Sequence, residues 1–113
     1  MEHGKSSTEQ AVEVVDGVEL TQLAAGENTS VQLFEIEPGS IVPEHDHPHE
    51  QAGYLFEGTA VFRGSDGSET VVEAGDGYVL AGGETHAVEN TGETMVRGVD
   101  VFSPPRDDPD WGE

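Results

Sequence analysis

Apolar residues recur at every second position along much of this chain, in short segments separated by turn residues. A period of two is typical of half-buried β-strands, whereas an amphipathic helix needs a period near 3.6. Dipeptides such as Asp16-Gly17 and Asp66-Gly67 indicate hairpin turns. The pattern predicts an all-β sandwich or barrel with no helix of useful length. The expected strands cover residues 11–15, 18–23, 31–37, 52–56, 59–63, 69–73, 77–80, 86–90 and 94–102.

The length of 113 residues allows one domain. We expect a flexible N-terminal segment over 1–10, a barrel over 11–103 and an extended tail over 104–113. Pro104, Pro105 and Pro109 in that tail lack amide donors, and Trp111 is a candidate for holding it on the barrel. No apolar run is long enough to span a bilayer or to serve as a signal peptide, so a cytoplasmic protein with no membrane contact is expected.

The charge is strongly negative, with 24 acidic residues against 4 basic ones and a formal net charge of −20. Nucleic-acid binding depends on Lys and Arg that displace counterions from phosphates, so a nucleic-acid partner is excluded. The acidic residues, Asp100 among them, are spread through the strands and turns, which we interpret as a solvated surface. High net charge keeps proteins soluble in salt, which favours a halophilic host over an acidic surface that docks a basic partner.

Three of the five histidines lie within five positions of the stretch "GSIVPEHDHPHEQAGYLFEG", residues 39–58, and the chain has no cysteine. On a strand, His45 and His47 would project to one face and chelate a metal ion. Gln51, after the bend at Pro48, and His86, at the head of a later strand, would complete the site. Three imidazoles and one amide oxygen suit Mn, Fe, Co, Ni, Cu or Zn. The competing interpretation is a scaffold without a metal.

Both halves of this ligand set lie in sequence motifs. The first stretch resembles the first cupin motif, G-x5-H-x-H-x3,4-E-x6-G, and "GDGYVLAGGETHAVEN" resembles the second, G-x5-P-x-G-x2-H-x3-N. Gln51 stands where the family usually has Glu, and Ala81 replaces the turn proline. The motif positions in this chain are Gly39, His45, His47, Gln51 and Gly58, then Gly75, Ala81, Gly83, His86 and Asn90.

The resemblance to small single-domain cupins implies a double-stranded β-helix barrel, a divalent transition metal and a homodimer. It also implies an enzyme for a small anionic or oxygen-rich substrate, either of the kind that opens unsaturated uronate rings or a quercetinase-like dioxygenase. A neutral Gln ligand leaves the full +2 charge on the ion, which strengthens a Lewis acid. The alternatives are a binding or sensing module without catalysis, and a protein that regulates a partner by contact.

Other polar and aromatic residues have weaker predicted roles. Glu50, next to a ligand, is a candidate catalytic acid or base at the mouth of the site. His49 falls where the chain turns and is expected at the rim. Tyr54 and Tyr78 are expected to be core or rim aromatics, and His3 is expected to have no role in the site.

Overall fold

The structure is a computed structural model that describes residues 1–106, so the proposed role of Trp111 lies outside the described residues. Ten β-strands follow one another in the described part, which contains no helix. No described segment could therefore cross a membrane as a helix. The strands are β1 Val12–Val15, β2 Val18–Ala25, β3 Ser30–Ile36, β4 Ile41–His45, β5 Glu50–Glu57, β6 Thr59–Gly64, β7 Glu69–Glu73, β8 Gly77–Leu80, β9 His86–Glu89 and β10 Val96–Ser103.

The strands form two antiparallel sheets that face each other. The larger sheet has six strands in the order β1-β2-β3-β10-β5-β8, and the smaller has four in the order β4-β9-β6-β7. In the larger sheet β10 lies between β3 and β5, so its side chains neighbour residues that are distant in sequence. The two motif stretches are joined by the pairing of β5 with β8 in the larger sheet and of β4 with β9 in the smaller one.

The core lies between the sheets and follows from the alternation of the strands. In β3 the residues Ser30, Gln32, Phe34 and Ile36 are buried, while the residues between them are only partly buried. Burial of large apolar side chains is the main favourable term in folding. The side chains of the core cluster come from both sheets: Val18, Leu20, Phe34, Ile36, Val42, Leu55, Ala60, Phe62, Val72, Leu80, Val88 and Val96.

The nine predicted strands are present, with ends that differ by at most two residues, and a tenth strand was missed. This is β4, Ile41–His45, which contains Pro43. Proline cannot donate to a neighbouring strand, so it argues against a strand in the sheet interior. Because β4 is the edge of the smaller sheet, only one of its sides pairs and the proline is tolerated.

Candidate metal centre

Three histidines converge between the two sheets. One ring nitrogen from each of His45, His47 and His86 lies within 4.8 Å of the others. The ring centroids are 4.4 Å apart for His45 and His86, 5.5 Å for His47 and His86, and 5.7 Å for His45 and His47. His47 and His86 are buried and His45 is partly buried.

Strand pairing places two of these side chains. His45 is the last residue of β4. His86 is the first residue of β9, so it lies at the head of a strand as predicted. The two are direct partners in the antiparallel register, after an irregularity that follows Val42. Opposite residues of an antiparallel pair have Cβ atoms about 5 Å apart, which suits two ligands of one ion.

His47 reaches the cluster by a different route from the one expected. It lies beyond the end of β4, in the loop before β5, so the prediction that His45 and His47 share one strand face was wrong. The loop is held by a 2.7 Å hydrogen bond from the Gly83 amide to the His47 carbonyl. Gly82 allows this approach, because a Cβ there would collide with the carbonyl of Pro48.

Hydrogen bonds to the backbone define which nitrogen of each ring carries the proton. The Nδ1 atoms of His45, His47 and His86 lie 2.8, 3.1 and 2.9 Å from carbonyl oxygens of Pro43, His49 and Glu84. A carbonyl oxygen only accepts, so each Nδ1 donates and each Nε2 is left with a lone pair. Burial is the main cause that lowers the pKa of all three histidines, to about 4 for His45. Three neutral rings therefore present lone pairs to one point.

Gln51 places an amide oxygen beside one of these rings. It is 6% exposed, and its Oε1 lies 3.1 Å from Nε2 of His47. Because the proton of that ring is on Nδ1, two lone pairs face each other across this distance. A cation between them would turn the contact into an attraction, so the donor set fits a divalent ion with nitrogen and oxygen ligands.

A buried acid lies next to Gln51 and was missed from the sequence. Asp100 is 6% exposed, so its assignment to the solvated surface was wrong. The hydroxyl of Tyr78 donates to Asp100 Oδ1 over 2.6 Å, and the amide of Gln51 also hydrogen-bonds the carboxylate. Burial raises the pKa of Asp100 to about 6, and these hydrogen bonds oppose the rise. Burial, followed by the charge of Asp100, raises the pKa of Tyr78.

Gly53 makes the contact between Tyr78 and Asp100 possible. It pairs with Tyr78 of β8 on one side and with Asp100 of β10 on the other. A Cβ at Gly53 would collide with the tyrosine ring and with Oδ1 of the aspartate. Its missing side chain leaves the space across which the hydroxyl reaches the carboxylate.

Arg106 brings a positive charge to the site and was also missed. It is 4% exposed, its backbone amide donates to Ser30 Oγ over 2.9 Å, and its guanidinium carbon lies 5.2 Å from the centroid of Phe102. Its charge contributes to the lowered pKa of each of the three histidines. A buried guanidinium beside a candidate metal centre suits an anionic ligand.

A small cavity of about 40 Å³ opens beside the cluster. At roughly 10–15 Å³ per water, it holds about three waters. Core apolar side chains line it together with polar ones, which are Gln32, His45, Gln51, Tyr78, His86, Asp100 and Arg106. Space of this size suits a ligand of few atoms, or one end of a larger molecule.

The other residues singled out in the sequence lie around this centre. Glu50 is exposed at the start of β5, so its acid or base role stays a prediction. His49 is partly buried in the bend before β5, with its ring 6.0 Å from that of Phe102. Tyr78 packs against the core, Tyr54 is 51% exposed, and His3 is exposed in the N-terminal segment.

A two-sheet sandwich that gathers three neutral histidines in its interior defines a class of β-protein with a candidate metal centre. The family follows from sequence comparison: the cupin domain profile matches residues 32–102, and the chain belongs to the cupin family. The predicted all-β cupin fold is confirmed, as is membership of the cupin family.

Two curated relatives are each 35% identical to this chain. One is the tetracenomycin polyketide synthase protein TcmJ of Streptomyces glaucescens, aligned over 80 residues that make up 70% of this chain and 53% of TcmJ. The chain thus spans about half the length of TcmJ. The other is an oxalate-binding protein of Thermotoga maritima, aligned over 83 residues that make up 68% of each chain.

Solved structures share the fold over nearly the whole chain. KdgF from Halomonas sp. matches with a TM-score of 0.83 at 22% identity, covering 93% of this chain and 94% of KdgF. A predicted oxalate decarboxylase from Thermotoga maritima matches with a TM-score of 0.76 at 26% identity, covering 89% of this chain and 97% of that one. Because the sequence identity to KdgF is only 22%, the similarity to that protein concerns the fold alone.

Proposed function

We propose that this cupin is a metal-dependent enzyme for a small, anionic, oxygen-rich substrate. The ion, one of Mn, Fe, Co, Ni, Cu or Zn, is held by His45, His47, His86 and Gln51. The observation that carries the proposal is the convergence of one ring nitrogen from each of the three histidines, whose Nδ1 atoms are each held by a backbone carbonyl. When bound, such an ion acts as a Lewis acid on a substrate oxygen, and a redox-active one supports oxygen chemistry.

The charge of the site favours an anion. The four proposed ligands are neutral, so they leave the +2 charge of a divalent ion in place. Arg106 adds a second positive charge in the cavity wall. A substrate carboxylate would pair with this guanidinium through charge-assisted hydrogen bonds, and the rest of the molecule would be oriented by that contact.

Asp100 is the group best placed to hold or accept a proton. It lines the cavity, and burial raises its pKa to about 6, so it changes protonation state near neutral pH. General acid–base catalysis is most efficient when the pKa lies near the working pH. Tyr78 keeps the carboxylate in one orientation. We therefore favour Asp100 over the exposed Glu50 for this role.

A second candidate function is binding without turnover. It is favoured by the relative named an oxalate-binding protein and by a cavity that suits a small dianion. The two candidates predict different results for the same loaded protein, because a binder retains its ligand unchanged.

Metal content tests the site directly. Protein purified without added metal or chelator should contain close to one transition-metal ion per chain by elemental analysis. His47→Ala should contain almost none, whereas the control His3→Ala, which removes an exposed histidine of the N-terminal segment, should match the wild type. Equal metal content in wild type and His47→Ala would refute the site.

Turnover separates the candidate functions. The loaded protein is assayed with unsaturated uronates, flavonols and oxalate, each with and without oxygen. Ring opening without oxygen supports the Lewis-acid chemistry, and consumption that requires oxygen supports the dioxygenase. Tight binding of one compound without product would favour the binding module over the enzyme.

We also propose a homodimer. Four large apolar side chains, Tyr54, Phe56, Val79 and Val101, are 36–65% exposed on β5, β8 and β10 of the larger sheet. In a chain of net charge −20, a second copy can approach most easily where charges are sparse. Light scattering after gel filtration should give twice the mass of one chain, and a monomer at micromolar concentration would reject the dimer.

A further inference from the structure

We propose that Asp100 is a positioning residue that acts through Gln51: it holds the amide so that the oxygen, and not the nitrogen, faces the metal site. Residues 51 and 100 would then form a coupled pair that decides whether a neutral or an anionic ligand stands at position 51. The inference rests on the proposed metal site and adds an explanation of how its fourth ligand is selected.

The two ends of the Gln51 amide have different partners. Its Oε1 faces His47 Nε2 at 3.1 Å. The amide also hydrogen-bonds both Tyr78 and Asp100. The Tyr78 hydroxyl gives its own proton to Asp100, so toward the amide its oxygen can only accept. A carboxylate accepts hydrogen bonds and an amide NH₂ donates two, so the NH₂ end belongs on the side of Asp100.

The reversed amide would be unfavourable toward Asp100 and could not act as a metal ligand. Its oxygen would face the carboxylate of Asp100, and its NH₂ would lie in the metal site, where it offers no lone pair to a cation. Both residues are 6% exposed, so water cannot relieve the mismatch. A carboxylate left facing a buried amide oxygen is costly, which favours the orientation with the NH₂ toward Asp100.

Asp100 also accounts for Gln at a position where the cupin motif usually has Glu. A glutamate there would bring a second carboxylate against Asp100 in a buried environment, and two like charges in contact cannot both ionise easily. The Tyr78 hydroxyl donates its one proton to Asp100 Oδ1 over 2.6 Å, so it cannot also donate to a glutamate at position 51. The site therefore has room for one carboxylate in this contact, and the chain places it at position 100.

A double-mutant cycle tests the coupling without relying on turnover. Wild type, Gln51→Glu, Asp100→Asn and the double variant are titrated with Co²⁺ against a competing chelator, and visible absorption reports the coordination. Each single variant should bind Co²⁺ about tenfold more weakly than wild type, and the double variant should recover to within about threefold. Its spectrum should differ from that of wild type, because a carboxylate has replaced the amide.

Asp46→Asn is the matched control for loss of a charge. Asp46 is exposed, close enough to affect the pKa of His86, and its side chain contacts Thr85 at 3.4 Å. Combined with Gln51→Glu, it should restore little of the lost affinity. If Asp46→Asn rescues Gln51→Glu as well as Asp100→Asn does, the effect is general electrostatics and the positioning role is refuted.

The outcomes separate this inference from the proposed function. If wild type binds no Co²⁺, the metal site itself fails. If wild type binds Co²⁺ and Asp100→Asn binds it equally well with the same spectrum, the site stands and the positioning role falls. Should Asp100→Asn not fold, Tyr78→Phe removes the donor to Oδ1 and should weaken binding a few-fold; unchanged affinity in a folded Tyr78→Phe protein would also refute the role.

Discussion

Replacing Asn90 with alanine should strongly destabilise the fold while leaving the metal centre intact. The side chain is fully buried between two turns. Its Nδ2 donates to the carbonyls of Ile36 and Thr94 over 2.9 and 2.8 Å, and its Oδ1 accepts from the Gly92 amide over 3.0 Å. One carboxamide thus joins the end of β3 to the turn that leads into β10.

The magnitude follows from the partners left behind. The carbonyl of Ile36 is buried and would lose a partner at about 1–3 kcal/mol, while the part-buried Gly92 and Thr94 groups can recruit water and cost about 0.5–1 kcal/mol each. The sum is about 3 kcal/mol out of a total stability of about 5–15 kcal/mol for a small domain. At about 4–8 °C per kcal/mol, the melting temperature should fall by roughly 12–24 °C.

Urea unfolding of the metal-free protein measures this loss. Asn28→Ala is the control, because Asn28 lies exposed in the turn before β3 and should change stability by no more than about 0.5 kcal/mol. Asn90 follows the last residue of β9, whereas His86 is the first, so Co²⁺ affinity of folded Asn90→Ala should match wild type. A loss below about 1 kcal/mol, or one no larger than that of Asn28→Ala, would refute the reasoning.

Three further predictions concern solution conditions. Burial lowers the pKa of His45 to about 4, so in metal-free protein the unfolded chain takes up a proton first and stability should fall as pH drops from about 6.5 to 4. Asp100 acts in the opposite direction in both proteins. Because His45→Gln lacks the contribution of His45, its urea midpoint should fall less over this window, and an identical fall would contradict the assignment. With 24 acidic and 4 basic residues, the melting temperature should rise as KCl increases to about 2 M, and a flat profile would count against a salt-adapted protein. Chelation should lower the melting temperature of the loaded protein by about 10–20 °C, since an ion at a hundred times its Kd adds about 2.7 kcal/mol, whereas a folded His86→Ala protein should be insensitive to chelator.

Most strands were predictable because one of their two faces lies in the core. Alternation in β3 and β10 is regular, and it translates directly into alternate burial. β4 was not predicted because Pro43 weakens the local strand pattern. The proline is tolerated only because β4 lies at the edge of the smaller sheet. That place is a property of the assembled sheet, so no local pattern could reveal it.

The site was predictable in its histidines and less so in its other charges. The alternation of β10 already indicated Asp100, since Val96, Gly98 and Phe102 share its parity and are buried. An acid at an inward position was the signal for a buried functional group. Arg106 carried no comparable signal, because it follows the last strand and reaches the cavity through contacts with Ser30 and Phe102 that depend on the tertiary fold.

The spacing of the two motifs is informative because it specifies loops as well as ligands. The motif glycines Gly39, Gly58, Gly75 and Gly83 all have positive φ, between 80° and 101°, in turns that other residues adopt only with strain. The turn at Gly83 donates to the carbonyl of His47, so a position that binds no metal places a ligand that lies outside any strand. A histidine pair alone would fit many polar loops. The same pair, spaced from glycines that force the turns, requires the backbone path that brings His47 to His86, and this is why the cluster formed although the expected strand geometry of His47 was wrong.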